Sequence, residues 1–473
     1  MQRLIHPTLL FTLLSLSLTG CARFEDRPLN PVDSAARIEA RALSSVGLRD
    51  YIDSVLANKT GQPPKAWDID RLTLAAIYYH PDLALARAQA ETMDAAITTA
   101  GQRPNPNITL SPTWVTNIAM VAAPWIIGSS ISIPIETAGK RGFRLDKTQH
   151  LTDAARLRIT DAAWLVRGRL RLAMLEVYAA QEAERLLQQQ LVIQQAMTER
   201  LEQQLSIGEI TRLEVMRSHL ALNQMQLNVS AARKRNAESR VLLATAVGVP
   251  VDALAGIEFD FSKFVQPTDL RFIPVTKLRE TALQKRPDVL AALADYAAAQ
   301  SALQLEIANQ YPNIQANPGY TFDLGANYWT LGATALQLPI LHQNQGPIAE
   351  AEAKRRELAV RFEALQMRIL GDIDRTHAGL GAVLAKWADA EKQMRLQQEN
   401  LQSAQALFQA GETDPLALLG AKLERAAAER ARLDMLVEAQ QALNALEDTL
   451  RYPIASTLTA TLISDSAIRK TPQ

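Results

Sequence analysis

The sequence repeats itself with a period of about 205 residues. His80-Pro81-Asp82-Leu83 returns as Arg286-Pro287-Asp288-Val289, and Pro106-Asn107-Ile108 as Pro312-Asn313-Ile314, both at an offset of 206. Ile133-Pro134-Ile135 returns as Leu338-Pro339-Ile340 at 205, and Gly142 as Gly346 at 204. Gly208-Glu209 and Pro250 return as Gly411-Glu412 and Pro453, both at 203. The order is kept and the drift is three residues, which chance dipeptides do not sustain over six landmarks. The 473 residues are therefore two copies of one supersecondary unit, rather than the roughly three domains that length alone suggests.

Each copy reads in the same order. A helix is expected over 70–101 and again over 275–309, with Leu72, Ala75, Ala76, Tyr79 and Leu83 at helical spacing and a Pro-Asn stop. Two extended segments follow, 107–116 and 127–136 in the first copy, 313–322 and 329–339 in the second. Ile108, Leu110 and Trp114 share a face, as do Ile131, Ile133 and Ile135, and Ile314, Ala316, Tyr320 and Phe322; this is the alternation of strands. Pro112 and Pro318 count against those strands, because proline removes a ladder donor. Long helices are expected over 140–206 and 346–409, the second with Leu358, Phe362, Leu365 and Ile369 spaced 4, 3, 4 as in a coiled-coil seam. After a glycine turn, return helices run over 211–247 and 414–449, with Leu213, Met216, Leu220, Asn223 and Leu227 alternating by 3 and 4. Gly208 and Gly411 suit helix C-caps, Thr211 and Asp414 N-caps. The fold class is mainly α with a small β part: two tandem repeats, each a β-hairpin plus long coiled-coil helices.

The N-terminus is an export signal. Arg3 precedes an apolar run from Leu4 to Leu18, too short for a membrane span of about 20 residues. The run ends in Leu18-Thr19-Gly20-Cys21, which resembles the lipobox of bacterial lipoproteins. That resemblance implies lipid attachment at Cys21, the chain's only cysteine, and a mature chain of 453 residues. A plain secretory signal with a chance cysteine is the alternative. Ala22, rather than aspartate, resembles an outer-membrane address. No second apolar run of 18 residues follows. Pro28, Pro31, Pro63 and Pro64 mark linker chain around a short amphipathic helix carrying Leu48, Tyr51, Ile52, Val55 and Leu56, expected as a strap along the outside of a barrel.

Helix lengths add a geometric constraint. About 67 residues of long helix reach about 100 Å, and the two shorter helices of each copy, laid end to end, reach about as far. An isolated hairpin is not stable in water, four strands are too few for a membrane barrel of about eight or more, and lipid tolerates no open strand edge. An exported chain of this kind completes its barrel with copies of itself: two would give eight strands, three would give twelve.

Lipobox, duplication, hairpin-plus-long-helix unit and glycine tips together resemble the outer-membrane efflux protein family, the TolC-like outer-membrane factors, over about residues 68–455. The resemblance implies a homotrimer: a 12-stranded β-barrel, four strands per chain, in the outer membrane, and an α-helical periplasmic tunnel. It implies docking on a periplasmic adaptor (a membrane fusion protein) and an inner-membrane efflux pump, with outer-membrane lipid around the barrel. The domains become signal peptide 1–20, lipid anchor and strap 21–67, first repeat 68–250, linker 251–274, second repeat 275–453 and tail 454–473. Ile135-Glu136-Thr137-Ala138-Gly139-Lys140-Arg141 looks like the strand-to-helix junction of the heavy-metal efflux (CzcC-like) branch. The function implied is a passive trimeric duct; the alternative is a lipid-anchored periplasmic coiled-coil scaffold without a pore.

Site residues follow from this frame. The tips would meet the adaptor through Gly208, Glu209, Thr211, Gly411, Glu412 and Asp414, and Glu209, Glu214, Glu412 and Asp414 would form acidic rings at the narrow end, which favour cations. Aromatics are only 5% of the chain, yet Trp114, Trp125, Tyr320, Phe322, Tyr328 and Trp329 cluster at the strands, as the two girdles of a barrel would. Trp67, Trp164 and Trp387 are expected to pack helices. His6, His80, His150, His219, His342 and His377 are scattered without partners at metal-ligand spacing, so no metal site or cofactor is expected. Arg167, Arg169 and Arg171, with Glu176, Glu182 and Glu184, read as solvated or lumen-facing charges. Asp372 and Asp374, two apart, point different ways. Fifty basic residues balance fifty acidic ones, which excludes a nucleic-acid binder, and no hydrolase, phosphate-loop or paired-cysteine motif points to an enzyme.

Overall fold

The computed structural model describes residues 22–56, 66–116, 124–268, 273–323, 325–334 and 340–454. Cys21, the signal segment, the tail and residues 335–339 lie outside the described residues. The chain divides into two units at Arg41. The first holds α1 (Pro31–Glu39), capped by the Asn30 side chain, which accepts from the Val32 amide, and opened by Pro31; none of its residues is buried.

The second unit carries the duplication. It begins with α2 (Val46–Leu56), then runs α3 (Ile69–Tyr79), α4 (Pro81–Gly101), β1 (Asn107–Trp114), β2 (Trp125–Ile135), α5 (Lys140–Ser206) and α6 (Arg212–Val247). The second copy follows as α7 (Val275–Lys285), α8 (Pro287–Ala308), β3 (Ile314–Asp323), β4 (Ala326–Thr334), α9 (Gln345–Gln409) and α10 (Pro415–Leu450). β4 starts at Ala326, three residues before the expected 329, and its expected end over 335–339 lies outside the described residues; the long helices and the first three strands fall within two residues of where the sequence puts them.

The first helix of each copy does not. The single helices expected over 70–101 and 275–309 are each broken in two, at His80-Pro81 and Arg286-Pro287. A residue before proline is driven from helical to extended backbone, and both comply: His80 has ψ 128° and Arg286 ψ 127°. The prolines then open α4 and α8, where the missing N–H is no loss.

The break is where the columns stack. Gly248, left-handed at φ +87°, ends α6, and a β-carbon there would lie 3.0 Å from the His80 Cα. So α6 stops where α4 starts, and the two, of 36 and 21 residues, run about 86 Å beside the 67 residues of α5. In the second copy the left-handed cap is Arg451, at φ +48°, and the Arg286 guanidinium donates to the Thr449 carbonyl at the end of α10. α5 packs against α6 and α10, and α10 against α9, so α6 and α9 are the flanks of the long-helix layer.

The main core lies at this break. Trp164, Leu170 and Met174 of α5 meet Leu72 and Leu74 of α3, Leu243 and Val247 of α6, and Leu254 and Phe264 of the segment between repeats. That segment is thus packed into the core, and a bridge pairs Trp67 with Phe259. The expected strap, α2, also belongs here: Leu48 and Tyr51 are buried, Tyr51 lies 5.6 Å from the Tyr78 ring, and the helix packs on α3 rather than along the strands. A smaller core joins Leu278, Val289, Ile369, Ile373, Leu443 and Leu446 in the second copy.

Candidate functional site

The four strands form one antiparallel sheet in chain order, β1-β2-β3-β4. Both outer strands, β1 and β4, leave a free edge within the chain. Pro112 sits on an edge strand, where it is tolerated; Pro318 lies inside the sheet, and the β2–β3 register lapses opposite it, stopping at Ser130↔Gly319 and resuming at Ile133↔Ala316.

The register sorts the side chains. One face carries Ile108, Leu110, Trp114, Trp125, Ile127, Ile131, Ile133, Ile135, Ile314, Tyr320, Phe322, Trp329 and Leu331. The other carries chiefly hydroxyls and amides: Asn107, Thr109, Ser111, Thr113, Ser130, Ser132, Gln315, Asn317, Thr321 and Thr330. All residues of β1 are exposed, none of the described residues covering either of its faces, and Leu331 is 89% exposed. An uncovered face rich in isoleucine and aromatic residues is suited to lipid, not water.

Of the six aromatic residues expected as girdles, five share the apolar face, while Tyr328 lies on the polar one. Trp114 packs edge-on to Trp125 at 4.7 Å and Tyr320 against Trp329 at 5.0 Å; the Tyr320 hydroxyl donates to Asn327. All five collect in the half of the sheet nearest the strand turns. The half nearest the helices carries Ile133, Ile135 and Ile314, so on these strands the aromatics form one band instead of the two expected.

The helical tips are tight and exposed. Gly208 (φ +83°) and Gly411 (φ +75°) turn the chain in the left-handed region, and nothing lies within 4 Å of where a β-carbon would be. Each turn closes with paired amide bonds, Glu209 to Gln204 at 3.0 Å and Glu412 to Leu407 at 2.9 Å. The Thr211 amide and hydroxyl both donate to the Glu214 carboxylate, at 2.8 and 3.0 Å, and these bonds hold that carboxyl below its usual range. Asp414 accepts from the Leu416 amide. Glu214 and Asp414 are therefore engaged as caps, whereas Glu209 and Glu412 are exposed on the turns themselves.

One polar cluster was not foreseen. Arg167 and Arg171, read from sequence as solvated or lumen-facing, are buried where α5 meets α10. Both donate to Glu447 Oε2, at 3.1 and 3.3 Å, and Glu447 Oε1 accepts from the Ile454 amide. Arg171 also donates to Gln440, whose amide reaches the Phe264 and Gln266 carbonyls of the inter-repeat segment. Burial opposes the charge on Glu447, but the two guanidiniums outweigh it and hold its carboxyl below the usual range. The signal available in sequence was the 167/171 spacing, one face of one helix. Of the other charges, Arg169 pairs with Asp82 at the surface, Glu176 with Arg235, Glu182 with Arg185 and Glu184 with Arg233, the carboxylates of Glu176 and Glu184 being largely covered, while Asp372 and Asp374 engage different arginines, Arg375 and Arg279. Trp67 and Trp164 are buried, and Trp387 stacks under Arg432. Among the described residues no group of three or more histidine, cysteine or acidic side chains is placed to hold a metal ion.

Residues 75–249 match the family model for "Outer membrane efflux protein". The chain is 26% identical over 247 residues to the pyoverdine export outer membrane protein OpmQ of Pseudomonas aeruginosa, covering 50% of this chain and 48% of that one. It is 22% identical over 224 residues to the cobalt-zinc-cadmium resistance protein CzcC of Cupriavidus metallidurans, covering 47% and 52%. These matches span about half the length of each relative. The fold aligns with the CmeC outer membrane channel of Campylobacter jejuni at a TM-score of 0.65 and 14% identity, over 95% of this chain and 97% of that one. An open-edged, two-faced sheet set on paired antiparallel helical columns is the protomer fold of outer-membrane channels. Residues 75–249 are thus similar to the outer membrane efflux protein family, and the fold is that of a solved outer-membrane channel.

Proposed function

We propose that the chain is the outer-membrane channel component of a tripartite efflux system, a passive trimeric duct without chemistry of its own. The observation that carries this is the sheet: two faces of opposite polarity and two unpaired edges. Strand β2 has 11 residues, about 36 Å, which at a barrel tilt of about 45° crosses about 25 Å, the height of a barrel's apolar band. Joining β1 of one copy to β4 of the next removes every edge, and three copies give twelve strands. The helical flanks support the same closure: Leu213, Met216, Leu220 and Leu227 stand exposed along α6, and Val360, Met367, Leu396 and Leu407 along α9. In a closed ring these two seams would cover each other.

On this reading the polar face lines the pore and the helices form a periplasmic tunnel. The tips around Gly208 and Gly411 meet a periplasmic adaptor that links the duct to an inner-membrane pump, with Glu209 and Glu412 at the narrow end. Cys21 carries the lipid that anchors the chain to the outer membrane. The two relatives are named for pyoverdine export and for cobalt-zinc-cadmium resistance, so the cargo class is not common to them; the heavy-metal assignment rests on residues 135–141 alone.

The test is conductance. Purified full-length protein should run as a heat-dissociable trimer and open ohmic channels in planar bilayers. A monomer without conductance would leave the pore-less scaffold instead. Cys21→Ser should abolish acylation while the barrel still inserts; full release into the soluble fraction would contradict the barrel.

A further inference from the structure

Below Asn107 the first hairpin comes apart. Pro104 and Pro106 supply no ladder donors, so residues 103–106 part from Ile133–Glu136 and leave a cleft of about 650 Å³ lined by Arg103, Pro104, Pro106, Ile133, Ile135 and Arg141. Ile133 and Ile135 belong to the apolar face of the sheet, so the cleft's greasy wall continues into the lipid-facing surface. Its other wall is basic. Arg103 is exposed and makes no ion pair with any described residue; Arg141 donates from its Nε to the Gly101 carbonyl at 2.7 Å and makes no ion pair within 4.0 Å among the described residues. Lys140 is spent on the neutral Tyr311 carbonyl and Asn313 side chain. The one carboxylate lining the cleft, Glu136, is already neutralised by Arg144.

The duplication supplies a control. In the second copy the long helix is likewise preceded by a left-handed residue, Asn344 before α9 as Gly139 before α5. With the two helix caps, Gly139 and Asn344, aligned, however, Lys140 becomes Gln345 and Arg141 becomes Gly346, and by the 206 offset Arg103 becomes Asn309. The long helix therefore starts without these cations in the second copy, and their presence in one copy alone asks for another cause.

We infer that this cleft binds one anionic glycerophospholipid, its phosphate between Arg103 and Arg141 and an acyl chain along Ile133 and Ile135. The inference rests on the channel reading, which sets this end of the sheet at the periplasmic leaflet of the outer membrane. A basic pocket beside apolar surface at headgroup depth is what an anionic lipid recognises, with each cation contributing about fivefold in affinity.

The experiment counts lipids on the trimer. Full-length protein in maltoside detergent is titrated with dioleoyl phosphatidylglycerol or dioleoyl phosphatidylcholine and read by native mass spectrometry. Phosphatidylglycerol should be retained at least tenfold better, at about one per protomer. Arg103→Gln with Arg141→Gln should lower its affinity about 25-fold; the paired lysine substitutions should retain it, and Gln345→Ala at the second junction should change nothing. Undiminished phosphatidylglycerol binding by the double glutamine variant would overturn the lipid site. So would displacement of the lipid by equimolar inorganic phosphate, which would mark a free-anion site. A trimer indifferent to phosphatidylglycerol overturns the lipid site alone, whereas a chain that never forms a trimer overturns the channel reading beneath it.

Discussion

The Cα of Gly168 on α5 lies directly under the carboxylate of Asp448 on α10, and a β-carbon at that position would overlap both carboxylate oxygens and their carbon. The glycine therefore sets how closely the two repeats approach. Gly168→Ala should destabilise the fold by about 1–3 kcal/mol, as overpacking in a fixed contact does. Adding Asp448→Ala should restore most of the loss, and thermal unfolding of the two single variants and the double variant measures the coupling.

Asp448 itself should make stability depend on pH. Burial pushes its carboxyl up to about 6, against the pull of Arg451 and Arg167 and with Glu447 adding to the rise. Its Oδ1 has no hydrogen-bond partner, and Oδ2 accepts only from Asn444. The folded state thus holds this proton more tightly than the unfolded chain does. The contribution is full below about pH 4 and is lost as pH rises towards 6, to the extent of about 3 kcal/mol. Asp448→Asn should flatten this part of the profile and raise the melting temperature at pH 7.5 more than at pH 4.5. A variant that tracks the wild type across that window would contradict the buried proton.

Glu447 has the opposite sense. Its carboxyl is held below the usual range, so its contribution is present above about pH 4.5 and fades as acid protonates it. Glu447→Gln removes the carboxylate that Arg167 and Arg171 share in the buried cluster and should cost about 3–5 kcal/mol. Because Arg171 also holds Gln440 to the inter-repeat segment, limited proteolysis should then cut first within residues 255–268.

These residues mark where sequence reading ends. The boundaries of β1, β2 and β3 and of α5, α6, α9 and α10 were legible to within two residues, because period and glycine punctuation are local, whereas β4 begins three residues before its expected start. The break before Pro81 was equally local: the dipeptide identified the repeat, yet the apolar spacing through Leu83 ran across it and favoured one helix. Arg167 was different in kind. A charge on a long helix is ordinarily solvated, and its partner Glu447 is 280 residues away, so only the packing of one repeat on the other reveals that both are buried. The face of each strand and the two hairpins could be read from sequence, but not that β2 pairs with β3 or in what register, and hence not that five aromatics gather at one level.

The tips give a prediction that separates stability from function. A β-carbon at Gly411 would meet nothing within 4 Å, so valine there is opposed chiefly by its left-handed backbone, a local cost of about 1–2 kcal/mol. Gly411→Val should leave the trimer's heat resistance intact and reshape the turn. Adaptor-dependent export should fall at least several-fold in a deletion strain carrying the variant. Unchanged export would remove the tip from the docking surface.

The two faces of β4 allow the sharpest comparison, since neighbouring residues there should behave oppositely. Leu331 lies on the apolar face, and arginine in its place would meet lipid at a cost of about 2–4 kcal/mol near the midplane of a barrel. Thr330, one residue earlier on the polar face, should accept arginine with little effect on insertion and would instead add three positive charges to the trimer's pore. Leu331→Arg should thus reduce heat-resistant trimer in the membrane fraction, while Thr330→Arg should insert normally and shift ion selectivity towards anions in planar bilayers. Equal insertion of both variants would mean that lipid does not meet the isoleucine face, and the sheet would have to be a soluble structure closed by some other surface.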